Sequence, residues 1–440
     1  MSAKPHILIL AAGQGKRMHS DLPKVLHEVH FRPMIHYVLD LAKGIPHSSI
    51  CLIVGHGEKE VREACSSYTG VQYFSQAEQK GTGDAVRRAE PFLSQQKGQV
   101  VILSGDVPIL SRDSLDRLLS SPSADCVMMT ARLKDPGAYG RVLRATDGKV
   151  TGIREYADCS EEEKKVEEVN AGIYRFEISS LLSALKRVKS HNKQGEYYLT
   201  DAVGLLTQEG KVLPCELKNP EEMTGINDRY ALSQVEGWVR DQINREWMVK
   251  GVTIQNPSTV LIDHESTFGK DVVIEQGCRI VGTKVGDGAH LKQGSYIEES
   301  VIGPEATVGP YAHLRPGSKL GRKVKIGNFV ELKKAEFKDG AKASHLSYIG
   351  DAEIGENSNL GCGFITCNYD GKDKHKTTIE RDVFIGSDSQ MVAPIKIGQG
   401  SYIASGSTVT KDVPPDSLVF ARVPQKTKPG YAKKYKKNSD

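Results

Sequence analysis

IGPEATVGPYAHLRPGSKLGRKVKIG, residues 302–327, carries an aliphatic side chain at every sixth position: Ile302, Val308, Leu314, Leu320 and Ile326. Glycine follows most of them. A six-residue period reads as a short strand plus a tight turn. Three such units close one triangular coil, with the repeating aliphatic stacked inside and glycine at the corners. Towards the N-terminus the register runs back through Ile297, Leu291 and Val285 to Ile280, Ile274 and Phe268, with one-residue slips before Ile302 and Val285. Towards the C-terminus it reaches Leu332, resumes at Ile354 and Leu360, again at Ile379, Ile385 and Met391, and ends on Ile397, Ile403 and Val409. The spacing predicts a parallel β-helix of hexapeptide repeats over residues 251–440.

A coil carries little chemistry until a loop leaves it. Two breaks in the register are therefore expected to hold the site, Lys333 to Tyr348 and Thr366 to Thr378, with the polar residues Lys333, His345, Tyr348, Asn368, Tyr369, Asp370 and Lys374. A lone histidine is more often structural than catalytic; the cations around His345 favour the second reading.

Ahead of the coil, Leu232, Val235, Val239, Ile243 and Trp247 recur at threes and fours. That spacing predicts one amphipathic linker helix over 228–250, ending near Lys250-Gly251. In residues 1–227 the apolar clusters Ile7 to Ala12, Ile50 to Val54, Val100 to Leu103 and Cys126 to Ala131 alternate with helically spaced segments such as Met34, Val38, Leu41 and Ala42. Alternation of this kind predicts an α/β, Rossmann-like domain with a mostly parallel sheet.

The first cluster runs into Ala11-Ala12-Gly13-Gln14-Gly15-Lys16-Arg17, whose glycines let phosphates approach backbone N–H groups. Neither the third glycine of a dinucleotide fingerprint nor a Gly-Lys-Ser/Thr follows, so both of those motifs are excluded. Arg17 and Lys24 remain as phosphate cations. Asp106 ends the strand cluster at Val100, where a carboxylate suits Mg²⁺ over a triphosphate. Taken singly, these are a basic turn and a Gly-Asp turn. The nucleotide reading gains weight from Gln76 to Gly83, Tyr139-Gly140-Arg141, Glu155, Asn170, Gly195 to Asp201 and Gly225-Ile226-Asn227.

The chain's 440 residues exceed what one core organises. A net charge of +4 is too small to argue for nucleic acid, and the lysines between Lys426 and Lys437 read as a solvated tail. Eight cysteines without a C-x-x-C pair suggest neither zinc nor a disulfide ladder and fit a reducing cytoplasm. The run Ile7 to Ala12 is too short for a signal sequence or a membrane span, so no membrane span and a cytoplasmic location are expected.

The Gln76 to Gly83 and Gly195 to Asp201 runs, Leu314-Arg315-Pro316-Gly317, Asn328 to Glu331, His345 to Asp351, Ile365 to Gly371 and Arg422 to Gln425 bring a family into view. Nearly end to end, the chain resembles the bacterial bifunctional N-acetylglucosamine-1-phosphate uridyltransferase / glucosamine-1-phosphate N-acetyltransferases. The resemblance implies a left-handed β-helix and a homotrimer with acyltransferase sites between subunits. It implies Mg²⁺ as cofactor and UTP, acetyl-CoA, glucosamine 1-phosphate and N-acetylglucosamine 1-phosphate as substrates, on the route to UDP-N-acetylglucosamine for peptidoglycan and lipid A.

Residue by residue, the resemblance implies UTP held by Ala12, Gly13, Arg17 and Lys24, with Gln76, Gly81 and Thr82 at the uracil. Asp106 and Asn227 would hold Mg²⁺, and Gly140, Glu155, Asn170 and Asn227 would contact N-acetylglucosamine 1-phosphate. In the second half His345 matches the general base, a role suited to an imidazole. Arg315, Lys333, Tyr348, Asn359 and Lys374 match the glucosamine-1-phosphate pocket, and Cys362, Asn368, Tyr369, Ser387, Ser405 and Arg422 the acetyl-CoA contacts.

Three positions depart from the family pattern. Ser104 stands where a tyrosine is expected. Cys362 and Phe364 replace small residues of a Gly-Ala-Gly-Thr run and are expected to narrow the acetyl-CoA channel. Two rival readings remain: another sugar-1-phosphate nucleotidyltransferase with a structural or allosteric coil, which predicts no base in the second half, and a non-catalytic assembly subunit, against which Asp106 and His345 both count.

Overall fold

The computed structural model describes residues 4–435 and divides into two compact units, one reaching to Val239 and the other starting at Arg240. Lys436 and Lys437, at the end of the basic run, lie outside the described residues.

The first unit is built on a sheet in the order Val212–Glu216, Cys126–Arg132, Glu168–Glu177, Gln99–Ser104, His6–Leu10, Ser49–Val54, Val71–Ser75. Along this path only Glu168–Glu177 runs antiparallel to its neighbours, and Arg141–Arg144 and Val150–Arg154 extend the sheet from it as an antiparallel pair. Ile7, Leu8 and Ile9, and Val100 to Leu103, are buried without alternation, the pattern of parallel strands covered on both faces. After His6–Leu10 the chain adds strands on one side, then returns to add Gln99–Ser104 on the other. The crevice at such a reversal, beyond the strands' C-terminal ends, is where ligands bind in open α/β sheets. Leu10 and Ser104 end their strands side by side there.

In the second unit each short strand pairs in parallel with the one a full turn later: Ile274 with Leu291, Leu291 with Val308, Val308 with Ile326. The hexad residues line the interior and are buried, Phe268 at the first coil only partly. Parallel pairing down all three faces makes a β-helix whose chain neighbours are also its stacking neighbours. Its first coil packs on residues 240–249, the part of the helix Arg229–Val249 that belongs to this unit: Asn244 Nδ2 donates to the carbonyls of Pro257 (2.8 Å) and Val260 (2.9 Å), and Trp247 meets Phe268 edge-on.

The coil departs from the pattern expected of its sequence in two places. The register is not broken between Lys333 and Tyr348: Phe337, Ala343 and Ile349 are buried and carry the interior column through, while Lys325–Lys333 and Lys342–Gly350 pair along their length. A five-residue step to an aromatic and a small Ala343 hide this continuity from an aliphatic period. Phe364 does not face a channel; it is fully buried among the coil's interior residues. The second break is a real excursion. Residues one turn apart are normally 17 apart, as Ser266 and Thr283, but Ser358 and Val383 are 25 apart. The extra residues form a loop in which Tyr369 and Lys374 bridge antiparallel.

Candidate active sites

At the sheet's reversal lies a cavity of about 910 Å³ lined by Ala12, Gly13, Arg17, Lys24, Gln76, Gly81, Thr82 and Asp106. The folding of each segment explains the convergence. Gln79 Nε2 donates to the Ala12 carbonyl (2.9 Å), tying the Gln76–Gly83 run to the first loop. Gln76 is buried, its amide donating to Asp84 Oδ2 (2.8 Å) and the Gly81 carbonyl (3.1 Å). Gly81 has φ 100°, and a Cβ there would fall 2.6 Å from the Tyr197 carbonyl, so only glycine fits. Thr82 Oγ1 accepts from Leu199 N (3.0 Å). The Gln76–Gly83 and Gly195–Asp201 runs are thus two sides of one wall.

Lys24, Asp106 and Asn227 meet on one atom. The buried ammonium of Lys24 donates to Asp106 Oδ2 (2.5 Å) and to Asn227 Oδ1 (2.7 Å). The Asp106 carbonyl accepts from Ile226 N (2.9 Å), which fixes the Gly225–Asn227 segment beside the strand end. Ser104 lines the same cavity, its hydroxyl 3.4 Å from the Gly172 carbonyl. Gln194 and Glu196, from the opposite wall, line it as well.

Gly140, Glu155 and Asn170 form an adjoining patch. Asn170 N donates to the Gly140 carbonyl (2.9 Å) and its Nδ2 to the Tyr174 hydroxyl (2.6 Å). A Cβ on Gly140 would stand 3.3 Å from Glu155 Oε2, so glycine leaves room for that carboxylate. The Thr200 hydroxyl donates to Glu155 Oε1 (2.9 Å), and burial pushes the Glu155 carboxyl above the usual carboxylate range. Tyr139 joins this patch to the Asp106 corner: burial raises its phenol, the Gly225 backbone beside it lowers it, and Asp106 raises it further. Its neighbour Gly140 stands among the expected site residues and Tyr139 does not; the Tyr-Gly-Arg run was its only signal.

In the second unit His345 is exposed on the strand Lys342–Gly350, directly opposite Asn328, with Nδ1 2.7 Å from Asn328 Oδ1. Tyr348, farther along the same strand, faces Glu331, which accepts from Arg315 (3.0 Å). The Lys333 ammonium is held below its ordinary range by Lys374 first and then Arg315. Cations crowded so closely make a site for an anion. Gly350 allows two side chains over it: a Cβ there would lie 2.6 Å from Tyr348 Oη and 2.7 Å from Asn368 Nδ2. Asn368 in turn donates to Asp351 Oδ2 (2.6 Å), and the exposed Tyr369 donates to the Gly371 carbonyl (2.6 Å).

Cys362, Ser387, Ser405 and Arg422 lie on later turns. Asp388 N donates to the Cys362 carbonyl (2.7 Å), Gly361 packs on Ser387 N and Gly386 on Ser405 Oγ, and Arg422 donates to the Ser405 carbonyl (2.6 Å). Asn359 pairs in register with Lys342 and Phe384, one strand on from His345.

A cavity at the reversal of a parallel sheet and a hexapeptide coil with a cationic cluster define a two-domain transferase. Residues 7–165 match the MobA-like NTP transferase domain, 245–335 the GMPPB C-terminal domain and 376–411 the bacterial transferase hexapeptide, six repeats. Proteins named bifunctional protein GlmU are similar over nearly the whole chain. Those of Shouchella clausii and Bacillus velezensis are 43% and 42% identical, over 97% and 98% of this chain and 98% of each relative. That of Geobacter metallireducens is 44% identical over 96% of this chain and 97% of its own length. The chain belongs to the GlmU family. It is a bifunctional enzyme, a uridyltransferase and an acetyltransferase, and its coil is a left-handed β-helix. Among the described residues no helix is long and apolar enough to cross a membrane.

Proposed function

We propose that the two constellations divide the two reactions, acetyl transfer to glucosamine 1-phosphate in the second unit and uridylyl transfer to the product in the first. In the first unit the backbone at Ala12 and Gly13 cradles the UTP phosphates, Arg17 and Lys24 neutralise them, and Gln76, Gly81 and Thr82 receive the uracil. Gly140, Glu155, Asn170 and Asn227 orient N-acetylglucosamine 1-phosphate so that its phosphate attacks the α-phosphorus and pyrophosphate leaves. Positioning and charge neutralisation carry such a transfer, and no covalent intermediate is needed.

The observation that carries this reading is the meeting of Asp106 and Asn227 on one cation. Their two oxygens converge on the Lys24 ammonium, so they already define a point that accepts positive charge. Both are hard oxygen donors of the kind Mg²⁺ takes, and few protein ligands suffice where phosphates and water supply the rest. Bound there, Mg²⁺ would neutralise charge on the transferring phosphate. Lys24 would then turn to the phosphates.

In the second unit Arg315, Lys333 and Lys374 take the phosphate of glucosamine 1-phosphate, and Tyr348 and Asn359 orient the sugar. His345 removes a proton from the 2-amino group as its nitrogen attacks the thioester carbonyl of acetyl-CoA. The C–N bond forms, the C–S bond breaks and coenzyme A leaves as the thiolate. Cys362, Asn368, Tyr369, Ser387, Ser405 and Arg422 line the acetyl-CoA path. The working form we infer is a cytoplasmic homotrimer. The exposed apolar residues Tyr311, Phe329 and Leu346 on one corner of the coil support the assembly, which light scattering in solution tests.

Asp106→Ala should abolish UDP-N-acetylglucosamine formation and spare acetylation; His345→Ala should do the reverse. Acetylation of glucosamine 1-phosphate at the wild-type rate by His345→Ala would remove the general base, and an active Asp106→Ala would remove the metal assignment.

A further inference from the structure

The contact between His345 and Asn328 is built more firmly than a surface hydrogen bond requires. The two residues stand directly opposite each other in a parallel pairing that runs from Lys325–Lys342 to Lys333–Gly350. Each is followed by a bulky residue in the left-handed region, Phe329 at φ 56° and Leu346 at φ 42°. Such residues rarely adopt that conformation, so the surrounding coil is enforcing it. The corner is anchored on both sides, Phe329 N donating to the Tyr311 carbonyl (3.2 Å) and Gly363 N to the Leu346 carbonyl (3.1 Å). Consecutive turns thus present Asn328 and His345 from the same corner.

We propose that Asn328 is a positioning residue for acetyl transfer, holding His345 in the tautomer and plane that leave Nε2 to take the proton. Asn328 presents Oδ1 to Nδ1 at 2.7 Å, and an amide oxygen only accepts, so in this arrangement Nδ1 carries the hydrogen and donates it. In the neutral ring the lone pair is then on Nε2, the nitrogen away from the coil's preceding turn. The orienting group is an amide where many enzymes use a carboxylate, so it aligns the ring without adding a negative charge that would hold it protonated. The charged side chains of the two strands, Lys325, Glu331, Lys333 and Lys342, occupy other register positions, and the next strand brings the uncharged Asn359. The proposal rests on His345 being the base.

The test measures acetyl transfer by Asn328→Ala and Asn328→Asp against pH, with His345→Ala as control, and reads the His345 tautomer in the full-length protein from its ¹⁵N shifts. Asn328→Ala should lose the Nδ1-protonated tautomer and on the order of 10²-fold in kcat. Its KM values should stay within about twofold, because no substrate contact is removed. Asn328→Asp, of the same shape, should recover much of kcat while moving the acid limb of the profile up by about one pH unit or more. Wild-type kcat and tautomer in Asn328→Ala, or an unmoved acid limb in Asn328→Asp, would overturn the proposal. An active His345→Ala would instead remove the base on which it rests.

Discussion

Gly350→Ala is expected to cripple one activity of this enzyme and leave the other intact. Gly350 ends the strand Lys342–Gly350 and is not among the glycines with positive φ, so alanine meets no backbone penalty there. What it meets is two side chains. The new Cβ would stand 2.6 Å from Tyr348 Oη, 2.9 Å from Tyr348 Cζ and 2.7 Å from Asn368 Nδ2, whereas ordinary contact starts at 3.4 Å. Both side chains must therefore retreat by more than half an ångström. Asn368 cannot do so freely, because its amide donates to Asp351 Oδ2 at 2.6 Å, and a bond to a charged group contributes about 1.5–3 kcal/mol. Gly→Ala offsets part of that by restricting the unfolded chain, by about 0.4–1 kcal/mol. The fold should survive with a modestly lower melting temperature. Displacements approaching 1 Å in substrate-orienting groups cost on the order of 10²-fold in rate. Coenzyme A thiol release and pyrophosphate release, measured on the same preparation, should show acetylation down by that factor and uridylyl transfer unchanged. Acetylation within about threefold of wild type would refute the reasoning, because Tyr348 and Asn368 would then be free to move without consequence for the chemistry.

Three further outcomes follow from the same geometry. Burial raises the Glu155 carboxyl in the folded state, so its ionised form is destabilising at neutral pH, a cost that grows as pH rises through the folded value. Glu155→Gln, which keeps an acceptor for Thr200, should melt above wild type at neutral pH and converge with it as pH falls towards 4.5, while uridylyl transfer drops; a pH-independent difference would sink the idea. Lys24→Met frees Asp106 and Asn227 from the ammonium and should bind Mn²⁺ without nucleotide roughly tenfold more tightly or better, read by electron paramagnetic resonance; unchanged affinity would mean that Lys24 does not guard the site. Phe364→Ala should cost about 3–5 kcal/mol of stability and leave the acetyl-CoA KM unchanged, whereas a lowered KM would restore Phe364 to the channel.

How much of this was legible in the sequence depends on which unit a residue belongs to. In the coil, neighbours in space are set by distance along the chain, so hexad spacing alone located the interior from Ile274 to Val409. Its failures were local. Phe337, after a five-residue step, and the small Ala343 disguise two interior positions, and Phe364 looks from the sequence like a substitution in a glycine-rich run although its side chain is buried inside the coil. Reading Phe337 as interior turns the supposed break into an ordinary turn of 17 residues and puts Asn328 opposite His345 by counting alone. No such counting relates Lys24 to Asp106 and Asn227, 82 and 203 residues away. Those three meet because the sheet reverses its winding direction between His6–Leu10 and Gln99–Ser104, and a reversal is a property of strand order that no local pattern encodes. In that unit the sequence alone supplied the chemistry of each group, and the resemblance to a family supplied their association. Tyr139 shows the remaining gap. Its position beside Gly140 marks it as part of a motif, but its nearness to Gly225 and Asp106, which links the Gly140–Asn170 patch to the Asp106 corner, follows from the pairing of the Arg141–Arg144 strand with Glu168–Glu177.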